Sequence, residues 1–577
     1  MTGSAALTGA ALLAAAVATV VVGVYGGRLS RTTSDFLVAS RSVDPRWNAA
    51  AISGEYLSAA SFLGVAGLVA KYGADALWYP IGFTAGYLGL LLFVAAPLRR
   101  SGAYTVPDFT EFRLGSSRLR MMTMLFVVVI CVLYLVPQYQ GAGLTLRILL
   151  GLPFWVGPVA VGLIVIANVV GGGMRSITFV QAFQYWLKLT AIAVPALALL
   201  ALFFARPAPL GEPLPPTVRQ HTTISIETAV VLQVDAPAGL SVTGTMDGRP
   251  VHDAAVPSSG EHTFGAGTTL TLAAGTATPV VAGAPSTGAE WIASGGGLGG
   301  AHPLFQVLST IVATFLGTMG LPHVMVRFYT NPDGRAARRT ALTVIALLTL
   351  FYVFPTLMGV FARLHVPALL VTGDTDAAVL LMPQAAFAGP VGQLLAALAA
   401  AGAIAAFLAT SSGLLVSIAG ALATDVLRGR VRDFRIAALI GGLIPMPLAL
   451  AASQLSLSRN VGLVFAVAAS TLCPLLLLGI WWRGLTAVGA MCGLAAGGTV
   501  SGAAAALALA GGVDDNVLAG WPAALVGYPA AVSVPLAFIT MVLVSKVTRA
   551  PDDTSRIFAR MHVPERLGMG VERVPRG

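Results

Sequence analysis

Two apolar stretches of the chain are interrupted by residues that break helices or carry polar groups. The first, residues 51–61, contains Gly54, the carboxylate of Glu55 and three serines among apolar neighbours. The second runs from Gly317 to His323 and places two glycines and a proline within seven residues. In lipid, a helix breaks only where its freed backbone groups face a cavity, an ion or a protein partner. Both stretches are therefore predicted binding sites, and the alternative is a packing face of small residues around a proline kink.

A third stretch, residues 406–413, adds Thr410, Ser411 and Ser412 to an otherwise apolar run. Hard cations prefer oxygen ligands, and these hydroxyls together with the carbonyls of a broken helix would supply them to a sodium ion. Hydroxyls in a helix also bond back to the carbonyls of the preceding turn. The stretch therefore predicts a cation site, with hydroxyls satisfied inside their own helix as the alternative.

The composition indicates which solvent surrounds these stretches. Hydrophobic residues make up 56% and charged residues 10% of the 577 residues, against roughly 45–50% and about 25% in soluble domains. Most of such a chain must lie in lipid. The net charge of +10 is spread singly or in short clusters between apolar runs, which argues against a nucleic-acid-binding face. Cys131, Cys473 and Cys492 all lie in apolar runs and are expected to be free thiols.

Membrane crossings are the next prediction, since about 20 mostly apolar residues form one. About thirteen spans are predicted, at 5–27, 47–71, 76–98, 121–146, 154–172, 177–204, 303–326, 341–363, 389–424, 434–452, 460–481, 485–510 and 522–545. The segments on one side of these spans carry most of the 34 Lys and Arg residues. The positive-inside rule therefore places that side in the cytoplasm, with the N-terminus outside and the C-terminus inside. A bacterial cytoplasmic (inner) membrane is the expected location.

Each interrupted stretch opens a block of five predicted spans, and two consecutive blocks of odd number are inverted relative to each other. The expected fold is all-α, with a ten-helix core of two inverted repeats whose first helices are broken. The predicted domains are an N-terminal extra helix and cytoplasmic linker (1–46), the first repeat (47–204), an external insert (205–302), the second repeat (303–482), two peripheral helices (483–545) and a cytoplasmic tail (546–577). Alternating runs in the insert predict short strands, with a flexible loop as the alternative.

Three motifs resemble the sodium:solute symporter family, and the first and third are most similar to its cation/acetate symporter branch. They are the run Gly54–Gly64, the segment Gly171–Met174 with Gln181 behind it, and Gly320-Leu321-Pro322-His323 followed by Arg327 and Phe328. The likeness extends from about residue 34 to residue 482, apart from the insert. It implies ten core helices in two inverted repeats, with one helix in front of them and two behind.

The resemblance also implies a sodium site. Its ligands would be the carbonyl oxygens of Gly54, Leu57 and Ala406 and the side chains at 409 and 410. Thr410 fits this site, whereas Ala409 lacks the hydroxyl that many members have, so that Ser411 or a water molecule would replace it. Many members also carry Asp where this chain has Gln181. Sodium is therefore the favoured co-substrate, with no cofactor, and the proton is the alternative.

The expected function is secondary active symport, in which inward movement of the cation drives uptake of a short-chain monocarboxylate such as acetate. The expected partners are the small organic anion, the cation and the lipid bilayer, without nucleic acid, and the oligomeric state is left open. A sodium/proline-type amino-acid symporter is the alternative within transport, because a fold does not fix its substrate. The alternative of another class is a solute-gated channel or a membrane sensor. Enzyme activity is not expected.

The substrate's carboxylate is expected to bind backbone N–H groups at the two helix breaks, because no arginine lies at mid-depth by these boundaries. The predicted substrate residues are Ser58, Ala59, Ala60 and Ser61 in the first break and Gly317, Thr318, Met319 and Gly320 in the second. His323 is expected to act in helix packing or gating and not as a metal ligand.

Glu55 and Lys188 are the two formal charges predicted deep inside spans, and a charge there is a candidate for function by default. Their depths from the cytoplasmic ends, about 12 and about 17 Å at about 1.5 Å per residue, allow an approach within about 10 Å. At least one of them is expected to change its charge or partner during transport. A static pair, or a lysine that extends along its stem to water, is the alternative. With Gln181 and His323 they form the predicted coupling and gating set.

Overall fold

The structure is a computed structural model that describes residues 3–27, 44–207, 210–226, 229–296, 298, 301–372, 374–427, 430–452, 456–510, 518, 520–549 and 553–563. Inside helices, the side chains at 3–5, 26–27 and 173–175 are not described. The predicted cytoplasmic linker at 28–43 and the end of the predicted tail after residue 563 lie outside the described residues.

Helices form most of the chain on both sides of the insert. Before the insert they are α1 (Gly3–Gly27), α2 (Pro45–Tyr56), α3 (Val65–Tyr72), α4 (Trp78–Gly89), α5 (Ala95–Arg100), α6 (Val106–Leu114), α7 (Ser117–Leu150) and α8 (Val156–Ala205). Short helical turns at Ala60–Gly64, Gly73–Leu77 and Leu90–Val94 connect some of them. α2 begins at Pro45, where a missing N–H costs nothing, and the side chain of Asp44 accepts the N–H of Arg46 at 2.9 Å.

The second half of the chain is also helical. Its helices are α9 (Gly288–Ile292), α10 (Pro303–Gly320), α11 (Pro322–Tyr329), α12 (Gly334–His365), α13 (Leu369–Thr372), α14 (Ala378–Ala386), α15 (Gly389–Asp425), α16 (Val431–Leu443), α17 (Pro445–Ala451), α18 (Leu457–Ser470), α19 (Leu472–Trp481), α20 (Ala487–Leu509), α21 (Gly520–Gly527), α22 (Ala530–Val547) and α23 (Thr554–His562). α15 is buried along most of its 37 residues and packs against α2, α7 and α8. It therefore forms the centre of the bundle.

Eleven helices in the described part of the chain are long and apolar enough to cross a membrane, and Val156–Gly172 is a shorter apolar helix. One of the eleven, Ala60–Arg100, has 41 residues, about twice the length of one crossing. It contains the end of the second predicted span and the whole third span. The chain is a multi-pass membrane protein.

α8 contains two predicted spans that lie side by side. A Cβ added at Gly23 of α1 would lie 2.9 Å from Oδ1 of Asn168 and 3.8 Å from Cγ2 of Val180. Asn168 and Val180 are 12 positions apart in α8, and in one straight helix they would be separated by about 18 Å along its axis. The segments before and after residues 173–175 therefore both pack against α1.

The first predicted interruption follows α2. The helix ends at Tyr56, and Leu57 leaves the helical region with φ −73° and ψ 89°. Helical structure resumes with the π-helical turn Ala60–Gly64, which leads into α3. The carbonyls in the last turn of α2 are thus released from intrahelical hydrogen bonds.

The second predicted interruption separates α10 from α11. Leu321 between them is extended, with φ −76° and ψ 116°, and Pro322 is the first residue of α11. A residue before proline avoids the helical region, and proline at a first helical position needs no N–H partner. Pro322 therefore sets the position of this break.

The insert forms an antiparallel seven-stranded sheet, which confirms the predicted β character for its described residues. Its strands are β1 (Thr222–Ser225), β2 (Val230–Val234), β3 (Leu240–Met246), β4 (Arg249–Ala255), β5 (Gly260–Phe264), β6 (Thr269–Leu272) and β7 (Val280–Val281). The spatial order is β1-β6-β3-β5-β2-β7, and β4 pairs with β3. Alternate side chains such as Leu232, Phe264 and Leu272 bury a small apolar core, to which Val371 of α13 also contributes.

Candidate functional site

The last turn of α2 lies directly against α8. Gly54 allows this contact, because a Cβ at position 54 would overlap the backbone carbonyl oxygen of Gln181. The break after Tyr56 leaves the carbonyl oxygens of this turn pointing away from their own helix. The C-terminal end of a helix also carries about half a negative charge. This turn is therefore a place where a cation is stabilised.

The side chain of Lys188 of α8 reaches this turn. Its Nζ donates hydrogen bonds to the carbonyl oxygen of Gly54 and, at 2.8 Å, to that of Leu57. These are two of the oxygens predicted to bind sodium. The Lys188 side chain is completely buried, so it does not extend to water. The predicted cation position at the end of α2 is thus occupied by the side-chain nitrogen of Lys188.

The other predicted cation ligands lie around the same turn. The Thr410 hydroxyl donates to the backbone carbonyl of Glu55 at 2.6 Å, and the Gln181 amide donates to the backbone carbonyl of Ala409 at 2.8 Å. The Ser411 hydroxyl is buried and has no hydrogen-bond partner among the described residues. Ala406 is buried in the same helix, α15. The structure therefore brings Gly54, Thr410 and Gln181 together and satisfies the oxygens of this turn with protein donors.

Glu55 forms a buried ion pair, and its partner is Arg327 of α11. Arg327 Nε donates to Oε2 of Glu55 at 2.7 Å, and both side chains are at most 2% exposed. The same guanidinium donates to the Thr178 hydroxyl at 2.6 Å and to the Gln181 side-chain oxygen. One group of side chains thus connects the first broken helix, the second broken helix and α8.

The interpretation of Glu55 and Lys188 as the only charges deep inside spans is wrong. The predicted seventh span ends at residue 326, one position before Arg327, so Arg327 falls outside the predicted spans. α11 continues to Tyr329 and keeps Arg327 buried, because the carboxylate of Glu55 compensates its charge. Lys188 Nζ donates to the backbone carbonyl of Gly54, the residue before Glu55. The ion-pair partner of Glu55 is Arg327 and not Lys188.

The predicted substrate residues at the two breaks are connected by side chains. The Tyr56 and Thr318 hydroxyls form a hydrogen bond of 2.8 Å that joins the two broken helices. The Ser61 hydroxyl bonds to the Tyr352 hydroxyl at 2.9 Å. The backbone N–H of Ala59, a predicted carboxylate donor, already donates to the Gln138 side chain at 2.9 Å. A substrate carboxylate at this N–H would therefore have to displace the Gln138 amide.

Three residues of the second break lie in packing contacts. Added Cβ atoms at Gly317 and Gly320 would overlap the backbone carbonyls of Phe465 and Ala468 of α18. The Met319 sulfur lies 2.5 Å from the position that a Cβ of Gly89 would occupy. Gly317 and Gly320 therefore let α10 pack closely against α18, and Met319 packs against Gly89 of α4. Ser58 and Ala60 are buried in the first break.

Aromatic side chains surround the two breaks. Tyr56 packs edge-on against Tyr87 with ring centroids 4.8 Å apart, and Phe83 lies 4.8 Å from Phe465. His323 packs edge-on against Tyr134 at 5.3 Å. Both ring nitrogens of His323 are buried without a hydrogen-bond partner among the described residues. The region therefore combines apolar rings with a few buried polar groups, as small-molecule sites commonly do.

Comparison with known proteins identifies the chain at the level of its family. Residues 36–203 and 262–497 match the model of the sodium:solute symporter family. The chain belongs to this family. It is thus a transporter and not an enzyme, and sodium is the co-substrate in the family, without a separate cofactor. Residues 204–261, which hold most of the insert's strands, fall outside the match.

Two relatives resemble the symporter over nearly its whole length. A Bacillus subtilis protein named "Uncharacterized symporter YwcA" is 28% identical over 571 residues, which cover 96% of this chain and 97% of that protein. A Corynebacterium glutamicum "Monocarboxylic acid transporter" is 29% identical over 575 residues, which cover 96% of this chain and 94% of that protein.

A Na⁺-coupled sialic acid symporter, solved in a substrate-bound outward-open state, has a TM-score of 0.60 with 14% identity, and the match covers 94% of this chain and 98% of that chain. The last similarity shows the fold alone.

The symporter also contains a cavity of about 850 Å³ between the insert and the bundle. Ser225, Ile226 and Val230 line it from the insert, and Tyr72, Tyr79 and Gln140 line it from the bundle. Its charged lining residues are Lys71, Arg147, Asp374, Asp376 and Arg459. Three of these groups are basic and two are acidic. No motif predicts this cavity, because its walls come from six or more separate segments of the chain.

Asp376 lies in this cavity wall, outside the candidate spans, and should make stability dependent on pH. Burial raises the pKa of its carboxyl from 3.8 to about 6, although the backbone N–H of Leu457 donates to it at 2.8 Å. The folded state therefore holds the proton more tightly, and stability should fall as pH rises from about 4 through about 6. The loss amounts to about 3 kcal/mol at about 1.36 kcal/mol per pKa unit.

Thermal unfolding of the purified protein at pH 5 and pH 7.5 measures this effect. Asp376→Asn should remove most of the difference between the two midpoints, whereas Glu261→Gln, at an exposed position of β5, should leave it unchanged. An undiminished pH dependence in Asp376→Asn would show that Asp376 is not its source.

Proposed function

We propose that the protein is a cation-coupled symporter that carries a short-chain monocarboxylate, such as acetate, into a bacterial cell across the cytoplasmic membrane. The observation that carries this proposal is the pair of broken helices joined by Tyr56 and Thr318, beside a buried cluster of charged groups. A relative named as a monocarboxylic acid transporter supports the substrate class. In the same proposal the N-terminus lies outside, 47–204 and 303–482 are inverted repeats, and the insert is external.

The proposed substrate region lies between Ser58–Ser61 and Thr318, with His323 as a gating residue. A carboxylate with only one or two further carbon atoms needs few polar contacts and a small apolar space. The rings of Tyr56, Tyr87 and Phe465 supply apolar walls. Polar groups at the helix breaks supply hydrogen-bond donors for the anion.

The same cluster argues against the amino-acid symporter as the alternative. An amino acid brings an ammonium group, which needs a carboxylate or several free acceptors in the site. The Glu55 carboxylate is committed to Arg327, and the carbonyls of Gly54 and Leu57 accept from Lys188. A monocarboxylate, which has no ammonium group, fits this arrangement better.

Solute exchange in proteoliposomes tests the proposal without any assumption about the cation. Vesicles loaded with unlabelled pyruvate should take up labelled pyruvate, and external acetate or propionate should compete, whereas proline should not. Pyruvate is the better labelled probe, since the weaker acid acetic acid crosses bilayers more readily in its neutral form. Exchange of labelled proline without exchange of pyruvate would establish the amino-acid alternative instead.

Bulk in the first break should abolish this exchange. Ala60 is buried beside Ser61 in the turn that follows the break, so Ala60→Leu should fill the substrate space while the protein stays folded. Ala14→Leu, at an exposed position of α1, adds the same atoms where they face lipid and should exchange normally. Normal exchange by Ala60→Leu would remove this region from the substrate path.

A further inference from the structure

We infer that His323 is the side chain that binds the carboxylate of the substrate, through an N–H of its imidazole ring, at the start of α11. This inference rests on the proposed function, from which it takes the substrate class, and it adds a binding role to the proposed gating role. The observation that carries it is that both ring nitrogens of His323 are buried without a hydrogen-bond partner among the described residues. The residue is only 1% exposed, so bulk water does not satisfy them.

The nitrogens of His323 are not needed for its packing. An imidazole ring always carries at least one N–H donor. A buried donor without a partner is costly, whereas an apolar ring of similar shape would fill the same space without that cost. The edge-on contact with Tyr134 needs a flat ring but no nitrogen. A hydrogen-bond acceptor that arrives with the substrate would account for histidine at this position.

His323 lies at the second helix break, one residue after Pro322 in the first turn of α11. Arg327 follows four positions later, on the same face of the helix, and it reaches Glu55 of α2. His323 is one turn closer to the break than Arg327. Its side chain is therefore directed to the space between α11 and the first broken helix.

The neighbours of His323 place it beside the proposed substrate region. Tyr134, whose ring centroid lies 5.3 Å from that of His323, is one helical turn from Gln138 on α7. The Gln138 side chain accepts the backbone N–H of Ala59 in the first break. Tyr134 also packs against Phe465, with ring centroids 5.8 Å apart, and Phe465 is one of the proposed apolar walls. The same face of α7 thus contacts both His323 and the first break.

The nitrogen donors of Arg327, Lys188 and Ala59, which lie near the two breaks, already have acceptors. Arg327 donates to three side chains, and Lys188 Nζ donates to two backbone carbonyls. The N–H of Ala59 donates to a glutamine side chain. A carboxylate at the second break would meet the ring N–H of His323 without displacing a protein acceptor. The start of α11 adds its partial positive charge to this position.

Replacement of His323 by phenylalanine tests the donor role, because it keeps a flat ring and removes both nitrogens. In proteoliposomes that contain the full chain, His323→Phe should raise the half-saturating pyruvate concentration for exchange by about 10- to 100-fold, as expected for one lost hydrogen bond to a charged group. A residue that acts only in gating would change the maximal rate instead. An unchanged half-saturating concentration in His323→Phe would overturn the inference.

Thermal unfolding in detergent measures binding without transport. Without substrate, His323→Phe should unfold at or above the midpoint of the parent protein, because two unpaired buried nitrogens are gone. Pyruvate should raise the midpoint of the parent protein, since a ligand stabilises the state that binds it. It should raise the midpoint of His323→Phe much less at the same concentration. Equal pyruvate-induced shifts in the two proteins would contradict a binding role for His323.

His323→Asn and His323→Gln keep an N–H donor, close to the positions of Nδ1 and Nε2 respectively. One of the two should retain more of the parent's pyruvate binding than the other, which identifies the ring nitrogen that donates. These variants keep the test decisive if His323→Phe does not fold, and complete loss of binding in both folded variants would overturn the inference. His252→Phe, at an exposed position of β4, is the matched control and should exchange pyruvate like the parent protein.

Failure of the substrate proposal is distinguishable from failure of this inference. If the parent protein exchanges proline and not pyruvate, the proposed substrate is wrong, but proline also carries a carboxylate. The half-saturating proline concentration of His323→Phe then decides the role of His323. An increase supports the inference, and an unchanged value overturns it.

Discussion

Arg327→Met is expected to abolish uptake and to lower the free energy of unfolding by about 3–5 kcal/mol. The substitution leaves the carboxylate of Glu55 buried without its 2.7 Å ion-pair partner. It also removes the hydrogen bonds from the guanidinium to Thr178 and Gln181. Thermal unfolding in detergent and exchange in proteoliposomes measure the two effects on the same preparations.

The double variant Glu55→Gln with Arg327→Met serves as the internal control. It contains no uncompensated charge, so it should recover a large part of the lost stability. Transport should not recover, because the ion pair between Glu55 of α2 and Arg327 of α11 is still missing. Equal unfolding midpoints for Arg327→Met and the parent protein would contradict the description of this ion pair as a buried, compensated one.

Gly54→Ala is the second substitution with a large expected effect. The added Cβ would overlap the backbone carbonyl oxygen of Gln181, and neither backbone can move without separating α2 from α8. Overpacking in a tight core costs about 1–3 kcal/mol. The separation also draws Lys188 away from the carbonyls of Gly54 and Leu57, so gradient-driven accumulation should be lost.

Gly420→Ala is the matched control for this effect. It lies on the central helix α15, and a Cβ there would meet no atom within 4 Å. Replacing glycine by alanine inside a helix without a clash is favourable by up to about 1 kcal/mol. Gly420→Ala should therefore accumulate substrate normally. If both glycine variants behave alike, the close contact between α2 and α8 is not important for transport.

Local features of the sequence predicted the parts of the fold that depend on neighbouring residues. The break after Gly320 follows from Pro322, and the break after Tyr56 lies in a run of glycine and serine that does not favour a continuous helix. The strands of the insert follow from alternating apolar residues such as those of β2. Each of these signals lies within about ten residues of its consequence.

The arrangement of the charged groups could not be predicted in the same way. Hydropathy ended a span at residue 326, because Arg327 looks like a loop residue when its partner is unknown. The pair with Glu55 joins residues 272 positions apart. Lys188 was identified as an intramembrane charge, but its acceptors depend on how α2 lies against α8. The inverted relation of the two repeats and the roles of the individual site residues stay predictions.

Net accumulation of labelled pyruvate against its gradient tests the central claim most directly. Proteoliposomes with inward gradients of both sodium and protons should concentrate pyruvate well above the outside level, and this accumulation should collapse when ionophores remove both cation gradients. Protein-free vesicles and Ala60→Leu should show no accumulation. Pyruvate that only equilibrates across the membrane, with the gradients intact and the protein folded, would contradict the account of a cation-coupled monocarboxylate symporter.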